Sequence, residues 1–312
     1  MNFAKWKDGN GLVHQGEVLH EVNNFKIVKC GFCEFSHATP IPSEEELKYV
    51  YEHEYYSSEK PLYLERYLED KDWWISTYST RYDILEENLA ISRRRILDIG
   101  SGPGLFLLTG KQRGWTTKGV EPSAQASKFS KEELGLDIEE VLLDAESAKG
   151  LGVFDVVNMS LVLEHIPNPA SMIELAYSLL SDGGLLSISV PNDYNPFQRI
   201  LNESSGVSPW WVSPPHHINY FDARSLERLV SKLGFSTIHQ GVTFPIDIFL
   251  LMGKNYIGND PLGRECHNLR KNFEMNLLNS GNKELLSKLY QSFSEIGIGR
   301  EILLIAKKGS GT

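Results

Sequence analysis

With 312 residues, 41% of them hydrophobic and 23% charged, the chain has the composition of a globular protein of about two domains and lacks the signature of a disordered one. Its 31 basic and 41 acidic residues leave a net charge of −10, which argues against the broad basic face that nucleic-acid binding requires. The start carries no apolar signal-type stretch and the chain no membrane-length apolar run, so the protein is read as cytoplasmic, with its three cysteines reduced or ligating.

Residues 1–90 read as a separate region, a short cysteine-bearing β segment and then helices rich in aromatics, among them Tyr55, Tyr56, Tyr63, Trp73, Trp74 and Tyr78. Residues 91–245 together with 298–309 alternate β-rich runs with helical stretches, the pattern of a mostly parallel α/β sheet with crossover helices. Ile96 to Ile99 is predicted as a buried strand that opens through glycines into a helix. Thr116 to Val120 is a second strand, after which Ser123 caps a helix that runs to Leu134 and stops at Gly135. Further strands are expected at Ile138 to Leu143, Phe154 to Asn158 and Leu185 to Val190. Asn168 and Pro169 open a helix with Gly183 as its stop, and Asp222 caps another that Gly234 ends. Phe235 to Phe244 and Glu301 to Ala306 read as paired strands separated by a helical insertion, residues 246–297. The apolar residues of that insertion recur at helical spacing, in one stripe through Leu262, Cys266, Leu269, Phe273 and Leu277 and in another through Leu285, Leu286, Leu289, Tyr290 and Phe293.

The densest motif is Arg95-Ile-Leu-Asp98-Ile-Gly100-Ser101-Gly102-Pro-Gly104. Glycines between a strand and a helix let a ligand approach the backbone and leave helix-terminal N–H groups pointing at it. A dinucleotide fingerprint would need glycine at position 105, which is Leu105, so a nicotinamide-dependent oxidoreductase is the weaker reading. What stands, Asp-x-Gly-x-Gly-x-Gly, resembles the first motif of class I S-adenosylmethionine-dependent methyltransferases. Taken alone, Asp98 would equally fit a turn cap and Glu121 an exposed strand end; the order of several such residues carries the resemblance.

The resemblance implies a Rossmann-like sheet, mostly parallel with its last strand antiparallel, and S-adenosylmethionine as cofactor. It assigns Asp98, Gly100, Ser101, Gly102 and Gly104 to the cofactor loop, and Glu121, with Pro122 next to it, to the ribose hydroxyls, where a carboxylate can accept two hydrogen bonds. Asp144 and Ala145 fall at the adenine position, and Asn158 and Ser160 near the methionine part.

Methyl transfer to an oxygen needs a proton acceptor only when the acceptor group must lose its proton, and imidazole titrates in the right range. His165, after Glu164 beyond the fourth strand, is one candidate; His216 and His217 in Pro214-Pro-His-His are others, and Asp193 a further one. Each has a plain structural alternative as a loop-ordering or turn residue. Cys30-Gly-Phe-Cys33 with His37 resembles half of the zinc knuckle that begins some bacterial members, and Pro40-Ile-Pro42 and Glu54-Tyr-Tyr56 resemble the stretch C-terminal to that knuckle. The first cysteine pair is absent, so a zinc ion would need Cys30, Cys33, His37 and one of His14 or His20, the alternative being a degenerate knuckle without metal. Cys266 reads as core.

The sequence thus points to a methyltransferase acting on a small molecule, with O-methylation of a sugar, surface-polysaccharide or natural-product intermediate as the leading expectation. Neither nucleic acid nor membrane is expected as a partner, and self-association into a homo-oligomer is left open. A binding or scaffold protein of the same fold without turnover is the alternative from a different functional class.

Overall fold

The computed structural model describes residues 2–7, 11–42 and 62–309. Glu54-Tyr-Tyr56 lies outside them. The chain divides into two compact units, one made of Met1–Ile41, Ser189–Leu229 and Gln240–Leu304, the other of Pro42–Ile188, Val230–His239 and Ile305–Thr312. This division differs from the one expected from the sequence, in which 1–90 stood apart and 246–297 was a simple insertion. The physical reasons lie in pairing and packing.

The chain opens with β1 (Phe3–Lys7), β2 (Val13–Val22), β3 (Phe25–Cys30) and β4 (Ser36–Thr39). Adjacent strands pair antiparallel, so the expected short segment is a four-stranded meander. The helices α1 (Tyr63–Glu69) and α2 (Lys71–Glu87) come next. The α/β alternation then runs β5 (Arg95–Ile99), α3 (Leu105–Gln112), β6 (Thr116–Val120), α4 (Ala124–Glu132), β7 (Ile138–Glu139), β8 (Phe154–Ser160), α5 (Pro169–Leu179) and β9 (Leu180–Pro191). After α6 (Pro196–Ser205) come β10 (Asn219–Tyr220), α7 (Ala223–Lys232) and β11 (Phe235–Val242). The short α8 (Ile248–Leu251), the long α9 (Asp260–Asn279) and α10 (Lys283–Glu295) precede β12 (Glu301–Lys308).

In the unit that begins at Pro42, the sheet has the order β11-β12-β9-β8-β5-β6-β7. β5 pairs in parallel with both β6 and β8, and β6 with β7. The middles of its central strands are buried, with Ile96, Leu97, Val156, Val157, Leu185 and Leu186 fully enclosed, as a parallel sheet covered on both faces requires. Ser123 caps α4 through the Ala126 amide, and Asn168 caps α5 with Pro169 in its first turn, as read from the sequence. β7 is two residues long, not the six expected at Ile138 to Leu143, and α5 gives way to β9 at Leu180, before Gly183. Residues 63–87 join this unit because α2 packs on α3. The Tyr82 ring stacks on Phe106 at 4.8 Å and its hydroxyl donates to the Phe106 carbonyl at 3.2 Å. A Cβ on Gly110 would fall 2.2 Å from the same hydroxyl, so glycine is what admits this contact.

In the unit that begins at the N-terminus, β10 adds to the meander by pairing antiparallel with β4, Asn219 opposite His37 and Tyr220 opposite Ser36. That pairing, across some 180 positions of sequence, binds residues 1–41 to 189–229. Here too β12 runs antiparallel to its neighbours. The Thr243 amide donates to the Glu301 carbonyl, the Arg300 amide to the Thr243 carbonyl and the Asn192 amide to the Arg300 carbonyl, so the start of β12 meets the ends of β11 and β9. The helical segment after β11 is present, but α9 turns a different face inward. Cys266, Arg270 and Glu274 are buried at four-residue spacing, whereas Leu269 and Phe273 remain 42% and 39% exposed. Arg270 pairs with Glu274 at 3.2 Å, and Tyr290 of α10 donates to the same carboxylate, so a satisfied polar ladder takes the inward positions.

Candidate cofactor site and a metal-ligating cluster

Parallel pairing brings the carboxyl ends of β5, β6 and β8 side by side, Ile99 opposite both Val120 and Met159. In open α/β sheets this edge is where ligands bind. Gly100, Gly102 and Gly104 all take positive φ, at 68°, 52° and 87°, and turn the chain from β5 into α3. At Gly100 the left-handed backbone coincides with close approach, since an added Cβ would lie 2.7 Å from Val162 Cγ2. The Gly100 and Ser101 amides both donate to the Val120 carbonyl, at 2.9 and 3.1 Å, locking the loop to the end of β6.

Glu121 is 5% exposed, and its two oxygens accept from the backbone amides of Gly102 at 2.8 Å and Ser123 at 2.9 Å. Burial nonetheless pushes its carboxyl up to about 7, against the pull of those two amides. Each oxygen keeps a lone pair beyond its backbone bond, the capacity a ribose diol would use. Asp98 is likewise raised to about 7 by burial, opposed by the Asn158 side chain, which donates to it at 2.7 Å, and by Arg81. Ser101 adds a buried hydroxyl with no hydrogen-bond partner. A glycine cradle and buried polar groups with unused capacity thus fit an adenosyl group.

Arg81, on α2, is the residue that sequence reasoning missed. Its guanidinium donates to Ser160 Oγ at 2.6 Å and to Asn158 Oδ1 at 3.4 Å, and lies over the Tyr78 and Phe106 rings at 5.9 and 5.6 Å. The aromatic character of residues 63–78 is legible in the sequence, but the burial of an arginine three residues past Tyr78 is not. Asp144 is exposed, and its Oδ1 accepts from the Glu146 and Ser147 amides, the work of a turn cap, with Ala145 exposed beside it. Pro122 is half-buried after Glu121.

His165 closes a short 3-10 turn in the same unit, half-buried, with its Nε2 3.8 Å from Glu164 Oε1. His216, His217 and Asp193 belong to the other unit. The Tyr220 hydroxyl donates to the His217 carbonyl at 2.7 Å, and the His217 amide to the Ser213 carbonyl at 3.0 Å, so this loop is folded on itself. Asp193 is 2% exposed; burial raises it to about 7, with Arg300 pulling it down and Asp247 pushing it up. Beside it, Tyr194 stacks on His20 at 5.6 Å and meets Trp211 edge-on at 5.6 Å. In the same unit His14, Cys30, Cys33 and His37 bring four ligand atoms within 4.8 Å of one another.

Residues 75–240, more than half of the chain, match a family described as "Methyltransferase domain". The chain belongs to this methyltransferase family. The resemblance read from the glycine motif and the order of residues after it is borne out at that level. Among relatives, a ubiquinone biosynthesis O-methyltransferase of Ralstonia nicotianae is 29% identical over 109 residues, covering 33% of this chain and 46% of that protein. One of Pseudomonas entomophila is 29% identical over 143 residues, covering 41% and 61%. The methyltransferase therefore spans about half the length of the curated relatives it matches. The crystal structure of magnesium protoporphyrin IX methyltransferase from Synechocystis PCC 6803, with bound S-adenosylhomocysteine, aligns over 86% of this chain and 100% of that one. Its TM-score is 0.52 at 12% identity, which shows the shared fold. S-Adenosylmethionine is the cofactor that a methyltransferase domain of this type takes. No helix among the described residues is long and apolar enough to cross a membrane.

Proposed function

We propose that the protein transfers the methyl group of S-adenosylmethionine to a hydroxyl oxygen of a small molecule. The observation that carries this reading is the buried Glu121 carboxylate, fixed by the Gly102 and Ser123 amides at the end of β6. Bound there, the cofactor supplies a sulfonium methyl open to in-line displacement. Glu121 accepts the two ribose hydroxyls, and the positive-φ loop from Gly100 to Gly104 brings backbone against the adenosyl group. Arg81, held by Ser160 and Asn158, offers its remaining N–H groups to the methionine carboxylate, a charge-assisted contact. Positioning supplies most of the rate, and the proton leaving the acceptor hydroxyl passes to an imidazole.

That imidazole comes from the set His165, His216 and His217, each half-buried. Asp193, whose carboxyl burial raises to about 7, is a further candidate for the base. The relatives' name, ubiquinone biosynthesis O-methyltransferase, supports oxygen as the methylated atom and gives no preference to the sugar or surface-polysaccharide acceptor expected from the sequence. The test is incubation with S-adenosylmethionine and two acceptor panels, substituted phenols or catechols and monosaccharides or their nucleotide derivatives. Formation of S-adenosylhomocysteine with a methylated product of one panel is expected. Binding of NADH in place of S-adenosylmethionine would return the protein to the oxidoreductase reading, and cofactor binding without turnover on either panel would favour a scaffold.

A further inference from the structure

The strand register places three chemistry-bearing side chains on one face of the N-terminal sheet. His14 and Gly16 share a face of β2, Gly16 is opposite Cys30 of β3, Cys30 shares its face with Val28, and Val28 is opposite His37 of β4. The turn after β3 carries Cys33 back over that face, closed by the Glu34 amide donating to the Cys30 carbonyl at 3.0 Å. We propose that His14, Cys30, Cys33 and His37 bind one zinc-type ion in a closed tetrahedral site. This assignment is independent of the methyltransferase reading, and its test reads metal content rather than activity.

The distances are those of a coordination tetrahedron. With Zn–S near 2.3 Å and Zn–N near 2.05 Å, a tetrahedral ion sets its S and N ligands about 3.6 Å apart. His14 Nδ1 lies 3.6 Å from Cys30 Sγ and 3.4 Å from Cys33 Sγ. The surroundings are those of ligands already oriented. His37 Nδ1 donates to the Ala38 carbonyl at 3.0 Å, which fixes the ring and leaves Nε2, buried and with no hydrogen-bond partner, as the ligand atom. The Cys33 amide donates to Cys30 Sγ at 3.4 Å, a bond that favours thiolate. Neither cysteine is in a disulfide.

His14, Cys30 and His37 are 5%, 2% and 2% exposed, and Trp6 and Phe32 cover the His14 ring at 5.3 and 5.0 Å. Four protein ligands under an aromatic cover leave no open coordination position, so the ion is structural and not a generator of hydroxide. Two thiolates with two imidazoles suit zinc over the hard cations, which take oxygen ligands. The ion also has a defined mechanical task. It clamps β2, β3 and β4 at the place where His37 is opposite Asn219, two residues past His217, and so holds the strand on which the Pro214–His217 loop ends. His20 is excluded as the fourth ligand, because six residues of strand separate it from His14, about 20 Å when extended, and it stacks on Tyr194.

The experiment is elemental analysis of the full chain purified without chelator, and then replacement of the metal with Co²⁺. About one equivalent of zinc per chain is expected, with Cys33→Ser and His14→Ala losing most of it and His20→Ala and Cys266→Ser keeping it. Cobalt should give the intense visible bands of a tetrahedral site and a thiolate charge-transfer band, both reduced in Cys33→Ser. The proposal is overturned if the reduced wild-type chain carries less than about a tenth of an equivalent and shows no tetrahedral cobalt spectrum. Full metal retention in the Cys33→Ser and His14→Ala variants would overturn it equally, as an ion bound elsewhere.

Discussion

The cofactor edge and the N-terminal sheet solve the same problem, gathering polar side chains in a dry place, by opposite means. At the cofactor edge the chain uses parallel strands whose carboxyl ends coincide, so Asp98 and Asn158, opposite one another near the ends of β5 and β8, lie close to Glu121, which follows β6. In the sheet, His14, Cys30 and His37 meet because antiparallel register sets them on one face. The first arrangement tolerates variation in strand length and depends on backbone turns. The second depends on register and fails if one strand slips by a residue, since a single-residue slip sends every side chain to the other face.

The sharpest way to break the comparison is therefore at register. Gly16 is opposite Cys30, and an alanine Cβ there would lie 1.9 Å from the Lys29 carbonyl oxygen. Gly16→Ala must push β2 and β3 apart, so a loss of about 3 kcal/mol or more is expected in denaturant unfolding of the N-terminal unit. Cofactor affinity, which uses none of these residues, should change less than about twofold in calorimetry. A Gly16→Ala protein of unchanged stability would show that the sheet yields at the very contact that sets its register.

The next effect falls on the other region. Glu121→Ala removes a charged acceptor for both ribose hydroxyls. Hydrogen bonds to charged groups contribute about 1.5–3 kcal/mol each, so the loss in cofactor affinity is expected at roughly 100-fold after relief of the carboxylate's burial cost. Isothermal titration with S-adenosylhomocysteine measures it; unchanged affinity would remove Glu121 from the site. Arg81→Met is expected to cost less, about 10-fold to 50-fold, the worth of one partly compensated charge contact. Its specific signature lies in a pair of ligands. S-Adenosylhomocysteine should weaken, and adenosine, which has no carboxylate, should not. Equal weakening of both would mean that Arg81 supports the site only through Ser160 and Asn158.

The same contrast separates the parts of the molecule that were legible in the sequence from those that were not. Glycine turns and helix caps are local signals, so the α/β order and the caps at Ser123 and Asn168 could be read from spacing, whereas Asp98 and Glu121 were singled out by the family resemblance. Cross-strand facts could not be read from spacing. His14 and His20 were equal candidates until the register shift between Val18 and His20 and the pairing of His20 with Ile27 put His20 at the far end of β2. The domain boundaries were misread because β4 takes a partner, β10, from far along the chain. The inward face of α9 was misread because Arg270 and Glu274 neutralise one another and occupy positions that periodicity assigns to Leu269 and Phe273. Arg81 was missed for a related reason, since a charged residue on an aromatic helix reads as solvent-facing unless its partners on another strand are known.

The smallest expected effect is on pH, and its sign separates the two ways of using a buried acid. In the ligand-free protein burial raises Glu121 and Asp98 to about 7, so the folded state holds these protons more tightly than the unfolded chain. Their contribution to stability is then greatest below the unfolded values and is lost as pH rises toward 7. Cofactor binding has the reverse requirement, because the ribose hydroxyls donate and need an ionised acceptor. Affinity for S-adenosylhomocysteine should thus rise as pH increases from about 5.5 to 7, by at most about tenfold per unit for one obligatory deprotonation, and level off above it. Melting temperature without ligand should move the opposite way over the same interval. Glu121→Gln should flatten the affinity profile while leaving the contribution of Asp98 to the melting profile. A flat wild-type affinity between about pH 5.5 and 8 would mean that Glu121 is already ionised in the free protein, and that its two backbone amides outweigh burial.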